Sequence, residues 1–259
     1  MVVADLHVHT QNSDGALPLS DLPAVAREAG LSAVAVTDHD RTHPDLRAPV
    51  VERGGVTVVH GIELRVEPAD GERVDLLAYG VEPTADLDAL VERVQRRRVE
   101  RGRQIVESVE SRLGVDLDVD VEWGIGRPDV ARAVDAHPDV AHGYEGAFED
   151  LIGEGGPCYV RRWVPSFREG RRMLADAAAV VGLAHPLRYD DPAAALELTA
   201  DLDAVELHYT YGHDVDRTPV ERAVADHDLL VTGGSDAHEH DLGTAGLDAG
   251  EYERFRAAL

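Results

Sequence analysis

Fifty acidic residues against 25 basic ones give this 259-residue chain a formal charge of −25, which argues against broad, nonspecific binding to nucleic acid or membrane, since both want a basic face. Hydrophobic residues make up 44% of the chain and aromatics only 5%, so a sizeable core must be built from Val, Leu, Ile and Ala. A single cysteine, Cys158, excludes an internal disulfide and any multi-thiolate metal site.

The first strand, Met1 to Thr10, runs from apolar residues into His7-Val8-His9. Side chains alternate along a strand, so the two imidazoles share a face. Ser20 is placed to cap a helix over Asp21–Ala29, which Gly30 stops. Ala33–Val36 is a short continuous apolar run, the mark of a strand buried on both faces, and it ends in Thr37-Asp38-His39. Strand, helix and buried strand form a βαβ unit and predict parallel pairing. A helix is expected near Pro44–Arg53. After it, Val56–His60 reads as a strand ending in Gly61-Ile62-Glu63, and Leu64–Val66 pairs with Val74–Tyr79 around Asp70-Gly71.

Asp86–Leu113 is helical by its apolar stripe of Leu87, Leu90, Val91, Val94, Ile105, Val106 and Val109, with an arginine-rich middle. Residues 114–165 lose the periodicity and read as an inserted helical segment, with helices from Pro128 to Val134 and from Tyr144 to Ile152. Ser166 and Glu169 form a capping box for a helix to Val181. The β/α rhythm then resumes: Val181–Ala184 into His185-Pro186, a helix near Pro192–Ala200, Ala204–Leu207 into His208, a helix over Pro219–Asp226, Leu229–Thr232 into Gly233-Gly234-Ser235-Asp236-Ala237-His238, and a last helix over Glu251–Leu259. Without tandem repeats or a low-complexity linker, 1–259 reads as a single domain. No apolar run is long enough to cross a bilayer and no leader-like N-terminus is evident, so a soluble, cytoplasmic protein is expected.

Metal-competent side chains recur at the C-terminal ends of the apolar strands: His7 and His9, His39, Glu63, His185, and Asp236 with His238. In β/α barrels that end carries the active site. Imidazoles and carboxylates without thiolates suit zinc, manganese or iron.

In order and in sequence context, His7-Val8-His9, Thr37-Asp38-His39, Gly61-Ile62-Glu63, Ala184-His185-Pro186 and Ser235-Asp236-Ala237-His238 resemble the motifs of the PHP (polymerase and histidinol phosphatase) family. The resemblance implies a distorted (β/α)7 barrel, here with the inserted segment, and two or three divalent ions. It implies His7, His9, Glu63 and Asp236 around one ion, Glu63 bridging to a second that also takes His185, and Asp14, His39 and His238 around a third. Where many relatives carry a histidine in the Val74–Tyr79 strand this chain has Asp75, which reads either as an oxygen ligand or as one more carboxylate of a very acidic protein. Where some have Arg-Pro-His it has Arg127-Pro128-Asp129.

The activity implied is hydrolysis of phosphate esters by a metal-bound hydroxide, on a small phosphorylated metabolite, a nucleotide or a short oligonucleotide. Glu63 would be catalytic as the bridge. Arg127, and after it Arg161 and Arg162, would bind the phosphoryl group. One of His208 and His213 would protonate the leaving group, or both are structural. Two other readings are a PHP module that binds metal and a partner without catalysis, and a C–N hydrolase of the amidohydrolase type. The binuclear amidohydrolases with a carboxylated lysine are excluded, because all 25 basic residues are arginine. An acidic, lysine-free composition also resembles proteins of salt-loving archaea.

Overall fold

The computed structural model describes residues 1–259, and they fall into two compact units, Met1–Val91 with Val164–Leu259, and Glu92–Trp163. The first unit carries the whole sheet. Its strands are β1 (Ala4–Val8), β2 (Ala33–Val36), β3 (Val50–Arg53), β4 (Val56–Val66), β5 (Val74–Tyr79), β6 (Val180–Leu183), β7 (Ala204–Tyr209) and β8 (Leu230–Gly234). Seven of them follow one another in the order β1-β2-β4-β5-β6-β7-β8, and β3 pairs only with β4. The ends of this path meet: Asp236 N donates to His7 O at 2.9 Å and His9 N to Ala237 O at 3.0 Å. The result is a nearly closed seven-stranded barrel.

Its distortion lies in strand direction. β1, β2 and β4 run parallel, as do β6, β7 and β8, but β5 is antiparallel to both β4 and β6. The cause is the tight connection at Asp70-Gly71, which returns the chain as a hairpin where a helical crossover would have kept it parallel. β4 is one continuous strand through Gly61, pairing with β2 over its first half and with β5 over its second.

Two register slips matter for the site. In β1, Asp5 lies opposite Val34 but Val8 opposite Val36, and in β7, Glu206 lies opposite Thr232 but His208 opposite Gly233. Each slip inserts one residue and reverses the alternation of side chains beyond it. At the barrel seam, a Cβ on Gly234 would collide with the backbone nitrogen and Cβ of His7, so glycine is what lets β8 approach β1.

Helices α1 (Leu22–Glu28), α5 (Phe167–Ala175), α6 (Pro192–Glu197), α7 (Thr218–His227) and α8 (Ala249–Arg256) belong to the first unit. One buried cluster joins Ala4, Leu6, Val59, Leu77, Tyr79 and Ala204 to Tyr252 and Phe255 of α8, with Tyr79 and Phe255 edge-to-face at 5.1 Å. A second packs Leu17, Leu22 and Ala26 against Val34, Val36 and Val58. Burying a side chain of this kind contributes about 1.5–3 kcal/mol. Helix α2 (Ala85–Leu113) starts in the first unit and continues into the second, which also holds α3 (Arg127–Ala136) and α4 (Tyr144–Ala147), the latter running into a π-turn over Phe148–Ile152. The second unit has its own core of Ile105, Val109, Val130, Val134, Leu151, Ile152 and the buried Cys158.

Three local expectations are corrected. The stretch 44–53 contains no helix: Pro44 and Pro49 interrupt it, and Val50–Arg53 is β3, turned onto β4 by Gly54 and Gly55 at φ +55° and +81°. Ser20 does not cap α1, because its hydroxyl donates to Asp21 Oδ1 instead. The helix capped by Ser166, whose Oγ accepts from Glu169 N at 3.2 Å, ends at Ala175 and not at Val181.

His60 of β4 is fully buried, and neither ring nitrogen has a hydrogen-bond partner. Burial, reinforced by nearby His43, pushes its pKa down to about 4. The unfolded chain takes this proton near 6.5, so folding stability is lost as pH falls from 6.5 to about 4. His60→Leu should therefore gain on the wild type progressively across that window in denaturant titrations. A constant difference between the two proteins would contradict this account.

Candidate metal centre

Ligand-type side chains converge where the strands end. His7 and His9 leave β1 fully buried, Glu63 comes from β4, Asp75 from β5, His185 follows β6, and Asp236 with His238 follows β8. Their donor atoms form three overlapping groups, each within 4.8 Å: His7, His9, Glu63 and Asp236; Glu63, Asp75 and His185; and His9, Asp14, His39 and His238. Nine positions singled out from the sequence thus come together, and Glu63 and His9 are each shared by two groups.

Glu63 is the hub. Its Oε1 lies 3.1 Å from His185 Nε2 and 3.5 Å from His7 Nε2, and its Oε2 lies 2.6 Å from His39 Nδ1 and 3.5 Å from His9 Nε2. Asp236 Oδ1 stands 2.9 Å from His9 Nε2 and 3.3 Å from His7 Nε2. Asp14 reaches His238 Nε2 at 3.4 Å and His39 Nε2 at 3.7 Å. Asp75 is 3.7 Å from His185 Nε2, and Arg65 grips both its oxygens, Nε to Oδ1 at 2.8 Å and Nη2 to Oδ2.

Electrostatics follow from this crowding. Burial acts to raise the Glu63 carboxyl, yet the charges of His39 and His7 and hydrogen bonds from His185 and His39 hold it well below the usual carboxylate range. Burial acts to deprotonate His7, but Glu206, Glu63 and Asp236 raise its pKa well above the usual imidazole value. Asp236 and Asp14 are pulled down by their histidines against burial. His9 goes the other way, lowered by burial and by the charge of His39. Without an ion, protons on the histidines balance the carboxylates, and these are the protons that a cation displaces.

The residues fit a divalent ion. His7 Nε2 makes no hydrogen bond although fully buried, and it faces two carboxylate oxygens. Such an atom is costly unless something binds it. The donor set is nitrogen and oxygen only, as borderline and hard cations require.

Three buried carboxylates that the sequence reading passed over hold this arrangement in place. Glu206 Oε1 meets His7 Nδ1 at 3.1 Å and Oε2 accepts from His185 N at 2.7 Å. Asp5 accepts from Ser235 Oγ at 2.6 Å, Ser235 N at 2.9 Å and Gly243 N at 2.8 Å, fixing the loop that carries Asp236 and His238. Asp38 accepts from Thr10 N at 2.7 Å, Ser13 Oγ at 2.8 Å and Asn12 Nδ2 at 3.0 Å, fixing the loop that carries Asp14. Their signal was a charge inside an apolar strand or at its end, which must be bonded if buried. His185 and Asp236 adopt left-handed backbone, φ +29° and +57°, a strain of about 1–3 kcal/mol each that the surroundings must hold.

The remaining expected site residues are not among the members of these three groups. The slip in β7 turns His208 outward, where Nε2 is 2.8 Å from Glu251 Oε1 of α8, and turns Tyr209 inward, where its hydroxyl donates to Asp236 Oδ2 at 2.9 Å. His213 is exposed in the loop after β7. Arg127 sits in the second unit, its Cζ 5.6 Å from the Phe148 ring centre and 5.9 Å from that of Tyr159, with Nη1 donating to Ile152 O at 3.4 Å. Arg161 and Arg162 belong to the same unit. Asp129 closes the first turn of α3 by accepting from Gly126 N at 2.8 Å.

Comparison with known proteins bears on this geometry. Residues 5–122 match the PHP domain. The chain is 28% identical to a phosphoribosyl 1,2-cyclic phosphate 1,2-diphosphodiesterase of Eggerthella lenta over 256 residues, 92% of this chain and 94% of the relative. It is also 28% identical to a 3',5'-nucleoside bisphosphate phosphatase of Chromobacterium violaceum over 266 residues, 98% and 92% of the two chains. A solved structure from Bifidobacterium adolescentis, assigned to the metal-dependent phosphoesterases, superposes with a TM-score of 0.80 at 25% identity, covering 99% of this chain and 96% of that one. The barrel is of the PHP type, and fold, clusters and relatives agree on a metal-dependent phosphoesterase.

Because Glu206 fixes the tautomer and direction of His7, Glu206→Gln should weaken divalent-metal binding by about 10- to 100-fold. Titration with a competing chelator reads this directly. Unchanged affinity would show that His7 is oriented without it.

Proposed function

We propose that this protein hydrolyses phosphate monoesters or diesters of a nucleotide or a small phosphorylated metabolite, using two or three divalent ions, manganese, zinc or iron. The observation that carries the reading is Glu63, one buried carboxylate with both oxygens facing four histidines that come from three different strand ends. In this reading His7, His9, Glu63 and Asp236 hold one ion, Glu63, Asp75 and His185 a second, and Asp14, His39 and His238, joined by His9, a third. Such ions lower the pKa of water toward roughly 7 and neutralise charge on phosphoryl oxygens.

The chain's own groups do the positioning. Glu206 keeps Nε2 of His7 pointed at the centre through its contact with Nδ1. Tyr209 holds one oxygen of Asp236 and leaves the other facing the histidines. Of the two histidines considered for protonating the leaving group, His208 is engaged by Glu251, which leaves His213 for that role. The substrate class is supported by the names of the two relatives, both of which act on phosphorylated sugars or nucleotides. The alternative of a non-catalytic binding module is disfavoured by the intact clusters: buried imidazoles and carboxylates without an ion or a reaction to serve destabilise the fold for no return.

The test is a screen of p-nitrophenyl phosphate, alkyl phosphates and nucleoside bisphosphates with each metal. Wild-type protein should turn over at least one ester. Glu63→Ala should abolish kcat, and His213→Ala should slow alkyl esters more than the p-nitrophenyl ester, whose leaving group needs no proton. No turnover with any metal would sink the reading.

We also propose a cytoplasm of high salt as the setting, supported by the charge of −25 without a lysine. Screening relieves self-repulsion of the acidic surface, so Tm should rise as potassium chloride is raised from about 0.1 M to about 2 M. A flat or falling Tm would contradict it.

A further inference from the structure

The three groups of donor atoms differ in what else holds their carboxylates. Asp236 divides its oxygens. Its Oδ1 faces His9 Nε2 at 2.9 Å and His7 Nε2 at 3.3 Å, while Oδ2 accepts from Arg188 Nη1 at 3.1 Å and from Tyr209 OH at 2.9 Å. The oxygen aimed at the histidines is thus clear of arginine. Asp14 faces His238 and His39. Asp75 is the exception. Its Oδ2, the oxygen 3.7 Å from His185 Nε2, is the one to which Arg65 Nη2 donates, and Arg65 Nε donates to Oδ1 at 2.8 Å.

Strand pairing builds this contact. Arg65 and Asp75 stand directly opposite each other on the antiparallel ladder of β4 and β5, and Glu63, two residues before Arg65, shares its face of β4. The hub carboxylate, the arginine and Asp75 therefore lie in one patch. The Asp75 side chain is 3% exposed, and its backbone is pinned, N donating to Tyr189 OH at 2.8 Å and O accepting from Ala184 N at 3.0 Å. The Arg65 side chain is 40% exposed, so the guanidinium is the partner with room to move. The charges of Asp75 and Glu63 raise its pKa, and it stays a cation throughout.

We propose that Arg65 is a tethered stand-in for the ion of the Glu63, Asp75 and His185 group, which makes that ion the exchangeable one. The inference rests on the metal-dependent reading and adds to it an order of occupancy. With His185 neutral, as a ligand must be, the two carboxylates match the two charges of a divalent cation, and the guanidinium already cancels one of them. An entering ion must displace Arg65 Nη2 from Oδ2 or share that oxygen with it. Either way it meets a fixed cation on its own ligand oxygen, which neither Asp236 nor Asp14 presents, and in a nearly dry site that repulsion is poorly screened. The group is also the richest in oxygen, with one imidazole where the others have two and three. The exchangeable ion is therefore a hard one, manganese in preference to zinc. While it is away, Arg65 keeps a buried carboxylate paired and spares the fold an isolated charge.

Metal analysis after gel filtration in metal-free buffer, together with chelator competition, tests this. The wild type should retain two ions per chain, and the last should return only with added manganese. Arg65→Met should hold that last manganese about 10- to 100-fold more tightly, the range over which groups behind a ligand change metal affinity. Manganese should also raise the Tm of Arg65→Met by more than it raises that of the wild type. Arg65→Gln, which leaves a donor for the buried carboxylate should Arg65→Met fail to fold, should shift affinity in the same direction. Asp75→Ala should lose the last ion and keep the other two. Its persistence in Asp75→Ala would overturn the proposal, as would three ions retained alike by the wild type. So would an unchanged or weaker affinity in the Arg65 variants, the weaker case making Arg65 a positioning residue for Asp75. If the wild type hydrolyses phosphate esters and holds three ions alike, this inference falls and the phosphoesterase reading stands. An exchangeable last ion governed by Arg65, in a protein that cleaves no ester, does the reverse.

Discussion

A single buried carboxylate, Glu63, sets the terms for the rest of the structure. It is almost wholly buried, and its stability as an anion depends on imidazoles delivered by β1, the β2 end and the β6 end. That delivery is possible because β4 spans both halves of the barrel. Its first half continues the parallel sheet of β1 and β2, and its second half starts the antiparallel pairing with β5. Glu63 stands in the second half, where strands of both directions bring their ends together. The distortion of the barrel and the position of the hub are therefore one fact.

Around the hub, support is layered by charge. Asp5, Asp38 and Glu206 are buried anions that bond backbone amides, hydroxyls or the far side of His7, and they lock the three loops bearing the ligand-type residues. This arrangement suits a site whose members sit in strained backbone at His185 and Asp236, because a loop held by several hydrogen bonds can keep a conformation that it would not choose alone. The same concentration of negative charge explains why the arginines nearest the clusters, Arg65 and Arg188, each lean on a carboxylate.

Most of the barrel was legible because its strands are continuous apolar runs punctuated by His or acid. β2, β6, β7 and β8 could be located to within a residue or two on that basis and β1 to within three, and with them His7, His9, His39, His185, Asp236 and His238, while Asp14 and Asp75 came from the family resemblance. What the pattern hid was direction and phase. Residues 44–53 carried no clear period, and two prolines plus a Gly54-Gly55 turn made a strand where a helix was expected. Alternation counted along Ala204–Tyr209 puts Glu206 and His208 on one face, yet the inserted residue in β7 separates them. Tyr209 was missed because of that same inserted residue, and Arg188 because a residue past a strand end has no periodicity to announce it. The arginines Arg127, Arg161 and Arg162 were singled out on chemistry alone, and Arg127 is stacked on aromatic rings of its own unit.

The extra residue in β7 has an evolutionary consequence. Excising one position between Glu206 and His208 would restore simple alternation and leave His208 and Tyr209 on the faces they now hold, opposite Gly233 and Gly234 of β8. Chains built on this barrel can thus gain or lose a single codon here and keep the same phenol at the pocket mouth, and a comparison that matches them letter by letter would see only a gap.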